Sequence, residues 1–411
     1  MDAMTQPRPP AQHAGQPTRN ICFLYIAQAH QVAHSLSAAF ALARQRPDVV
    51  VTVAATSAAV LDYARRIAGQ SGRPPIAWQL LGPGFLRALA GARGAPPKVP
   101  MLAANAGYLN SFDVIVTPER TTAALRWMGV RRPKLVYTQH GAGDRGGPFE
   151  PRLRRFDLVF APGAKQRDRM LAEGLVQAER CAIVGYPKFA LVQQLGPPAP
   201  RLFDPDRPVV LYNPHFDPRL SSWPRWGLEI LRTFSRQSHF NLIFAPHMRL
   251  FEGRTVGAID ALAPYVGHHG IHIDLGDSDA AFDMTYTRQA DIYLGDASSQ
   301  IYEFLTRPRP CLMLDAHHAD WVGQESYRHW RFGPVLDGIG DLIGDIGRAC
   351  RDHQQFAAEQ AEGFRRTFDL SGEPASERAA AAISRLAPAK ANLASASATR
   401  GMVIGKELSG V

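Results

Sequence analysis

Two histidines follow predicted β-strands in different halves of the chain. The apolar run 134–138 is followed by His140, and the run 241–245 is followed by His247. An unperturbed histidine titrates near pH 6.5, so it is suited to accept a proton from a substrate hydroxyl or to bind a phosphate. Both residues are therefore candidates for transfer chemistry, and the alternative for each is a structural hydrogen-bonding role.

A third candidate lies in residues 290–305, which read A-D-I-Y-L-G-D-A-S-S-Q-I-Y-E-F-L. The pattern predicts a strand at 292–294, a tight turn and a helix that begins at Ser298. Backbone N–H groups at such a helix start, with the Ser298 and Ser299 hydroxyls, suit a phosphate. Asp and Ser are also common helix caps, so a strand–turn–helix unit that binds nothing is the alternative.

Residues 20–184 alternate between apolar β-prone runs and helical patterns. The spacing fits successive βαβ units. Predicted strands lie at 20–27, 48–55, 76–81, 112–117, 134–138, 157–161 and 180–184, with helices that include 58–68 and 121–127. The Gly-, Pro- and Ala-rich segment 82–99 is expected to be a mobile loop.

The Pro-rich segment 195–201 fits neither a helix nor a central strand, and the alternation restarts after it. Predicted strands follow at 209–213, 241–245, 271–274, 292–294 and 310–315, and predicted helices at 226–235, 280–288 and across most of 336–385. We divide the chain into a disordered leader (1–18), a first α/β domain (19–194), a linker (195–207), a second α/β domain (208–388) and a flexible tail (389–411). The predicted fold is two Rossmann-like sheets that face each other across a cleft, with ligands at the carboxyl ends of the strands.

The composition favours acidic partners. The 411 residues carry a net charge of +9, mostly from arginine, which suggests phosphorylated substrates, nucleic acid or an anionic membrane as partners. A merely solvated basic surface is the alternative. A basic stretch is a candidate for a membrane or a polyanionic acceptor, and it contains Arg152, Arg154, Arg155, Lys165, Arg167 and Arg169. No nucleic-acid-binding motif occurs, so DNA and RNA are not expected as partners.

The four cysteines lie far apart without C-x-x-C spacing, which predicts buried, reduced thiols and a cytoplasmic protein. No apolar run approaches the ~18 residues of a membrane span, so membrane contact is expected to be peripheral. His30 and His34 have the i, i+4 spacing of half a metal site. Because no third ligand is evident, we interpret them as polar lining of the cleft, and we expect no metal or other cofactor.

Five segments, in order, resemble the motifs of CDP-glycerol glycerophosphotransferases. They are Q-H-G at 139–141 with Arg145, V-G-Y-P-K-F at 184–189, L-Y-N-P-H-F at 211–216, A-P-H at 245–247 and A-D-I-Y-L-G-D-A-S-S at 290–299. The resemblance covers roughly residues 130–330. It implies a teichoic-acid-type polyol-phosphate transferase with a GT-B fold, here described as two Rossmann-like domains.

The resemblance implies roles for single residues. His140 corresponds to the family's catalytic base, and His247 to a second histidine that contacts the donor phosphates. Asp296, Ser298 and Ser299 match the T-D-Y-S-S segment, which lies against the CDP part of the donor.

Four more residues are assigned to substrate or donor binding: Gly141, Arg145, Arg249 and Glu303, the last as a ligand for donor hydroxyls. The sequence also departs from the family pattern. Ala245 stands where arginine usually precedes P-H-P, and Arg249 is the candidate replacement for that charge.

The resemblance implies transfer of a polyol-phosphate from a CDP-linked donor to a hydroxyl acceptor during cell-surface polymer synthesis. The acceptor would be a polyol-phosphate or a glycan, free or lipid-linked, and the enzyme would work in the cytoplasm or on the inner face of the membrane. A GT-B glycosyltransferase or nucleotide-sugar epimerase, and a two-lobed nucleotide-binding protein without turnover, are the alternatives.

Overall fold

The computed structural model describes residues 19–90, 95–145, 149–196, 200–252, 256–276 and 278–387. The predicted leader and tail lie outside these residues. The described chain forms two parallel β-sheets, each flanked by helices.

The first sheet has seven parallel strands in the order β3-β2-β1-β4-β5-β6-β7. These are β1 (Arg19–Tyr25), β2 (Val49–Ala55), β3 (Ala77–Leu80), β4 (Val114–Thr117), β5 (Lys134–Tyr137), β6 (Leu158–Ala161) and β7 (Cys181–Ile183). Five of its strands, β1, β2, β4, β5 and β6, are largely buried, which explains why they read as apolar runs in the sequence.

The second sheet has six parallel strands in the order β10-β9-β8-β11-β12-β13. These are β8 (Val209–Asn213), β9 (Asn241–Phe244), β10 (Ile271–Ile273), β11 (Ile292–Gly295), β12 (Cys311–Leu314) and β13 (Val335–Leu336). In each sheet the strand order reverses beside its first strand, and this reversal is the point at which Rossmann-like sheets bind ligands.

Within the described residues, fourteen α-helices connect and cover the strands. The first seven are α1 (Leu36–Gln45), α2 (Ala58–Gln70), α3 (Gly84–Ala88), α4 (Lys98–Ala104), α5 (Ala106–Leu109), α6 (Ala164–Ala172) and α7 (Pro187–Gln194). The others are α8 (Trp223–Ser235), α9 (Val256–Asp260), α10 (Thr285–Gln289), α11 (Gln300–Phe304), α12 (Leu342–Asp352), α13 (Gln354–Thr367) and α14 (Ala375–Leu386). None of the helices in the described ranges is long and apolar enough to cross a bilayer.

The predicted α/β fold of two Rossmann-like domains is confirmed, and several local predictions are wrong. Segment 82–99, expected to be a loop, contains α3 and the start of α4. The helix predicted at 280–288 is interrupted at Met284, whose φ of +67° is in the left-handed region. Regular α-helix begins only after it, with α10 at Thr285. A helix is present where one was predicted at 121–127, as the 3₁₀ helix Arg120–Arg126. Cys350, expected to be buried, is exposed.

Not all of the basic stretch proposed for polyanion binding is exposed. Arg154 and Arg155 are exposed on the 3₁₀ helix Pro151–Arg155. Lys165 instead lies buried between the two sheets, and Arg169 forms an ion pair with Glu173 at 2.6 Å. Lys165 therefore does not contribute to an exposed basic surface, because its charge is paired with Asp144.

The two halves of the molecule share apolar contacts. Helix α14 follows the second sheet in sequence, yet Ala379, Ala380 and Ile383 pack in the core of the first sheet. In the same core lies Phe282, which precedes α10; its ring is 6.0 Å from that of Tyr63. Apolar side chains from the second half are thus buried against the first sheet. They would be exposed to water if the two halves separated.

A buried ion pair also crosses between the halves. Glu303 on α11 accepts a hydrogen bond from Tyr186 at 2.8 Å and binds the Lys188 ammonium at 2.7 Å. The Lys188 and Glu303 side chains are only 8% and 7% exposed. A charge at such a depth is tolerated only with its partner, so this pair fixes the position of α7 relative to α11.

We predict that Lys188→Met lowers the free energy of unfolding by about 3–5 kcal/mol, because it leaves the Glu303 carboxylate buried without its cation. The double variant Lys188→Met/Glu303→Gln should lose clearly less, because no unpaired charge remains. Urea denaturation of the native protein, both single variants and the double variant measures the coupling. Equal losses in the Lys188→Met and double variants would show that the pair does not couple the two halves.

Candidate active site

A cavity of about 170 Å³ lies between the carboxyl ends of the two sheets. Loops after β5, β8, β9 and β11 form it together with the 3₁₀ helix Glu325–Phe332 that follows β12, so both halves of the chain contribute. Its lining consists of Tyr137, His140, Gly141, Gly143, Asp144, Arg145, His215, His247, Ala297, Ser298, Ser299 and His329. Six of the nine residues predicted from the sequence are therefore brought together here.

His140 is oriented by a hydrogen bond to the main chain. Its Nδ1 lies 2.7 Å from the carbonyl oxygen of Pro118, which follows β4. A carbonyl oxygen only accepts, so Nδ1 carries the proton and Nε2 of the neutral ring keeps its lone pair. Burial lowers the pKa of His140, although the Pro118 carbonyl and the nearby Glu119 carboxylate act to raise it. The neutral ring can therefore accept a proton near pH 7.

Glu119 supports this part of the site from behind. Burial acts to raise its pKa, but the Lys98 ammonium 2.7 Å away, with the Thr121 N–H, brings the pKa down to about 2. Glu119 is therefore a fixed negative charge beside His140. A carboxylate in this place favours the imidazolium that would form when His140 accepts a proton.

His215 and His247 have the opposite tautomer to His140. Nδ1 of His247 accepts the Arg249 backbone N–H at 3.2 Å, and Nδ1 of His215 accepts the Asp217 backbone N–H at 3.0 Å. In the neutral rings the proton is therefore on Nε2, which makes both residues hydrogen-bond donors. Burial lowers the pKa to about 3 for His247 and to about 4 for His215.

Ser298 and Ser299 lie opposite the glycine-rich loop of the first sheet. Gly141 has a φ of +156°, and a Cβ atom there would be 3.2 Å from Ser299 Oγ. A Cβ atom on Gly143 would be 3.0 Å from Ser299 Cβ, so larger residues would push the two loops apart. Helix α11 has only five residues, so the dipole argument for an anion site is weak and the hydroxyl and N–H groups would have to provide the binding.

Three predicted residues do not line the cavity. Asp296 is fully buried, and its carboxylate accepts the backbone N–H groups of His215, Ser222 and Ala297. It therefore shapes the loops after β8 and β11 rather than facing a ligand. Arg249 stacks 4.1 Å from the Phe216 ring, and Glu303 lies in the ion pair between the sheets.

Arg145 lines the cavity as predicted. Its guanidinium carbon lies 4.4 Å from the ring centre of Tyr327, in the second half of the chain. Among the described residues, its Nη1 is buried without a hydrogen-bond partner. A cation with a free donor beside the cavity is suited to an anionic group of a ligand.

The sequence analysis did not identify the residue at the centre of this arrangement, Asp144. Its carboxylate binds the Lys165 ammonium at 2.7 Å, the Tyr302 hydroxyl at 2.7 Å and Nδ1 of His329 at 2.9 Å. Burial acts to raise its pKa, but Lys165 and then His329 hold it well below the ordinary value. Burial lowers the pKa of Lys165 to about 8.

His329 also lines the cavity and was not predicted. Its two ring nitrogens lie 2.9 Å from the Asp144 carboxylate and 3.1 Å from the Asp296 carbonyl oxygen. Both partners only accept hydrogen bonds, so each ring nitrogen of His329 faces an acceptor oxygen. His215 and Asp144 lie within or next to the segments that carry the family resemblance, whereas His329 lies in none of them.

His30 and His34 lie on the 3₁₀ helix Ala29–His34, on the first-sheet side of the site. The His30 ring centre is 6.1 Å from that of His140. Nδ1 of each is buried without a hydrogen-bond partner in the described part of the chain, and burial lowers both pKa values. Within that part, no group of three or more His, Cys, Asp or Glu residues could hold a metal ion.

Neither a protein-family model nor a curated protein matches this sequence. Solved structures, however, do match this chain. The wall teichoic acid polymerase TagF matches with a TM-score of 0.56 and 14% identity, over 90% of this chain and 87% of that one. S. aureus MnaA with UDP has a TM-score of 0.56 and 12% identity, over 90% of this chain and 96% of its own.

A UDP-N-acetylglucosamine 2-epimerase structure has a TM-score of 0.57 and 11% identity, over 90% of this chain and 96% of that chain. At such low identities these matches show a common fold and not a common activity. Their coverage of both sheets, with the two parallel sheets described above, establishes the GT-B-like arrangement of two Rossmann-like domains.

We predict that ¹⁵N NMR at pH 7 finds the proton on Nδ1 in His140 and on Nε2 in His215 and His247. The His215 and His247 rings should remain mostly neutral at pH 6, because burial lowers their pKa values to about 4 and about 3. Single histidine-to-asparagine variants would assign the signals. A proton on Nε2 of His140, or charged His215 and His247 at pH 6, would contradict this geometry.

Proposed function

We propose that this protein transfers a polyol-phosphate from a CDP-activated donor to a hydroxyl acceptor during synthesis of a cell-surface polymer. The observation that carries the proposal is the pairing of opposite histidine tautomers in one cavity. His140 offers a ring nitrogen that can accept a proton, and His215 and His247 offer N–H donors from the other sheet. Phosphoryl transfer to a hydroxyl needs both functions.

In the proposed reaction, the acceptor hydroxyl oxygen attacks the phosphorus atom that carries the polyol. Nε2 of His140 takes the hydroxyl proton as the new P–O bond forms. The bond between this phosphorus and the bridging oxygen of CMP breaks, and CMP leaves with that electron pair. The first sheet would thus hold the acceptor, and the second sheet would hold the donor in line with it.

The low pKa values of His215 and His247 have a clear use in such a reaction. Both rings stay neutral at physiological pH, so they can donate hydrogen bonds to phosphate oxygens throughout the reaction without competing for the hydroxyl proton. Arg145, with its unpartnered Nη1, would supply positive charge for the diphosphate. Ser298 and Ser299 would add hydroxyl donors on the same side.

The other predicted residues receive more limited roles in this proposal. Gly141 would let the loop of His140 approach Ser299 closely. Asp296 would hold the loop of His215 in place, and Glu303 would keep the two sheets together. Arg249 is proposed to act at the edge of the site, because it does not line the cavity.

Support for a CDP-linked donor comes from the five sequence segments that resemble glycerophosphotransferases and from the fold shared with TagF, a wall teichoic acid polymerase. The acceptor class remains a polyol-phosphate or a glycan. We place the reaction in the cytoplasm, at the inner face of the cell membrane, as the resemblance implies.

A nucleotide-sugar reaction is the second candidate. It is favoured by the match to epimerase structures, one of them with UDP, over 90% of this chain. Product analysis separates the two functions, because polyol-phosphate transfer releases CMP, whereas glycosyl transfer usually releases UDP or GDP. Tight nucleotide binding without any product would instead favour a binding protein.

We predict that the native protein releases CMP from CDP-glycerol in the presence of a polyol-phosphate acceptor. His140→Gln should lower kcat about 10²–10⁴-fold with little change in the donor KM, because it removes only the base. Ser298→Ala/Ser299→Ala should mainly raise the donor KM. His239→Ala, an exposed residue before β9 and at the far end of the second sheet, is the matched control and should change neither.

The pH dependence provides a further readout of the same variants. Because burial lowers the pKa of His140, native kcat/KM should remain high at pH 6.5 and fall only as the pH drops further and the base is protonated. Unchanged CMP release by His140→Gln, or turnover of UDP-sugars alone, would contradict the proposed function.

A further inference from the structure

The 3₁₀ helix Ala29–His34 carries three polar side chains with buried atoms that have no hydrogen-bond partner among the described residues. These atoms are Nδ1 of His30, Oε1 of Gln31 and Nδ1 of His34. The Gln31 and His34 side chains are almost completely buried, since these residues are only 2% and 5% exposed. A buried polar atom without a partner destabilises the folded state. Three such atoms on one short helix therefore indicate that the helix binds a ligand.

The helix lies at the cleft between the two sheets. It follows β1, beside which the strand order of the first sheet reverses. Burial, and then the charges of His140 and His247, lower the pKa of His30, so its ring lies close to histidines from both sheets. Within the described part of the chain, Nε2 of His30 has no hydrogen-bond partner and is not fully buried. This ring nitrogen is therefore open to a ligand beside the candidate base.

The charges around this helix favour an uncharged ligand group. Burial lowers the pKa values of His30 and His34 well below the ordinary value, so both rings are neutral at pH 7. Three cations near these rings or His140 are each paired with a carboxylate: Lys98 with Glu119 at 2.7 Å, Arg120 with Glu150 at 2.8 Å and Lys188 with Glu303 at 2.7 Å. A phosphate here would meet neutral rings and cations that are already paired. Hydroxyl groups, which donate and accept, suit neutral rings and an amide oxygen.

We propose that His30, Gln31 and His34 bind the hydroxyl groups of an uncharged polyol, next to the hydroxyl group that reacts at His140. The ring centres of His30 and His140 are 6.1 Å apart, which is close enough for neighbouring hydroxyl groups of one ligand to reach both rings. The acceptor end in the cleft is thus neutral and has at least two hydroxyl groups, as in a sugar ring or a glycerol unit. This inference rests on the proposed transfer function and narrows its acceptor, because any phosphate of the acceptor lies outside this group of residues.

The direct test is NMR of the His30 and His34 ring signals in the native protein during titration with small probes. Glycerol or methyl α-glucoside should shift both signals, and the stronger of the two probes identifies the kind of polyol. Propan-1-ol, with a single hydroxyl group, and inorganic phosphate should leave both signals unchanged at the same concentration. No shift with either polyol, or an equal shift with phosphate, would overturn the proposal. This readout needs no turnover, so it separates failure of the polyol site from failure of the transfer reaction, which CMP release tests.

A double variant distinguishes ligand binding from a structural role. His30→Phe/His34→Phe removes the polar atoms and keeps the ring contacts with Phe282 and Tyr186. Because the buried atoms that it removes have no partner, the variant should unfold at the native temperature or above it. Its KM for glycerol should rise about tenfold, with an unchanged KM for CDP-glycerol. His239→Phe, at an exposed position, is the control and should behave like the native protein. A lower unfolding temperature with an unchanged KM for glycerol would contradict the inference.

Discussion

The Asp144 carboxylate is the interaction on which the candidate site depends. It is almost completely buried, and a buried carboxylate is stable only when its oxygens are paired. Lys165 supplies a cation from the first half of the chain, and Tyr302 and His329 supply donors from the second. If the two sheets separated, Asp144 would keep Lys165 but would lose its hydrogen bonds from Tyr302 and His329. This one carboxylate therefore favours the arrangement in which the two halves meet at the site.

The consequence for the site follows from chain connectivity. Asp144 and His140 lie on the same loop after β5, so anchoring one restricts the other. His329 links Asp144 to the Asp296 carbonyl oxygen, and the Asp296 carboxylate holds the backbone of His215. Proton-accepting and hydrogen-bond-donating histidines from different sheets are thereby held around one cavity. Backbone contacts at each Nδ1 determine which histidine has which role.

The sequence predicted the strands and their parallel arrangement well, because strands buried on both faces must be apolar throughout. It also located six residues of the cavity, since ligand sites of such sheets lie at strand carboxyl ends. It could not predict contacts between the halves. Lys165 was read as part of a solvent-facing basic stretch, and Glu303 as a ligand for donor hydroxyls. Both are buried at the meeting of the sheets, where their partners are distant in sequence.

Local chemistry explains the remaining differences. The helix breaks at Met284 because the backbone of this residue is in the left-handed conformation. Such a conformation is usually signalled in a sequence by glycine, and none occurs here. No sequence motif marks His329. Its ring is held by the Asp144 carboxylate and the Asp296 carbonyl oxygen, which are distant in sequence and come together only in the folded structure. Asp296 lies in a segment that resembles a family motif, yet the structure places its carboxylate on backbone N–H groups. Sequence patterns therefore predicted the location of the candidate site better than the roles of its individual side chains.

The central claim is that the cleft between the two sheets binds a cytidine diphosphate-linked donor. The most direct measurement is a thermal-shift titration of the native protein with CDP-glycerol, CDP, UDP and UDP-N-acetylglucosamine. The account predicts stabilisation by the cytidine ligands, about 2.7 kcal/mol at 100 times the dissociation constant, and little effect of the uridine ligands. Stabilisation by uridine ligands alone would contradict it and favour a nucleotide-sugar reaction.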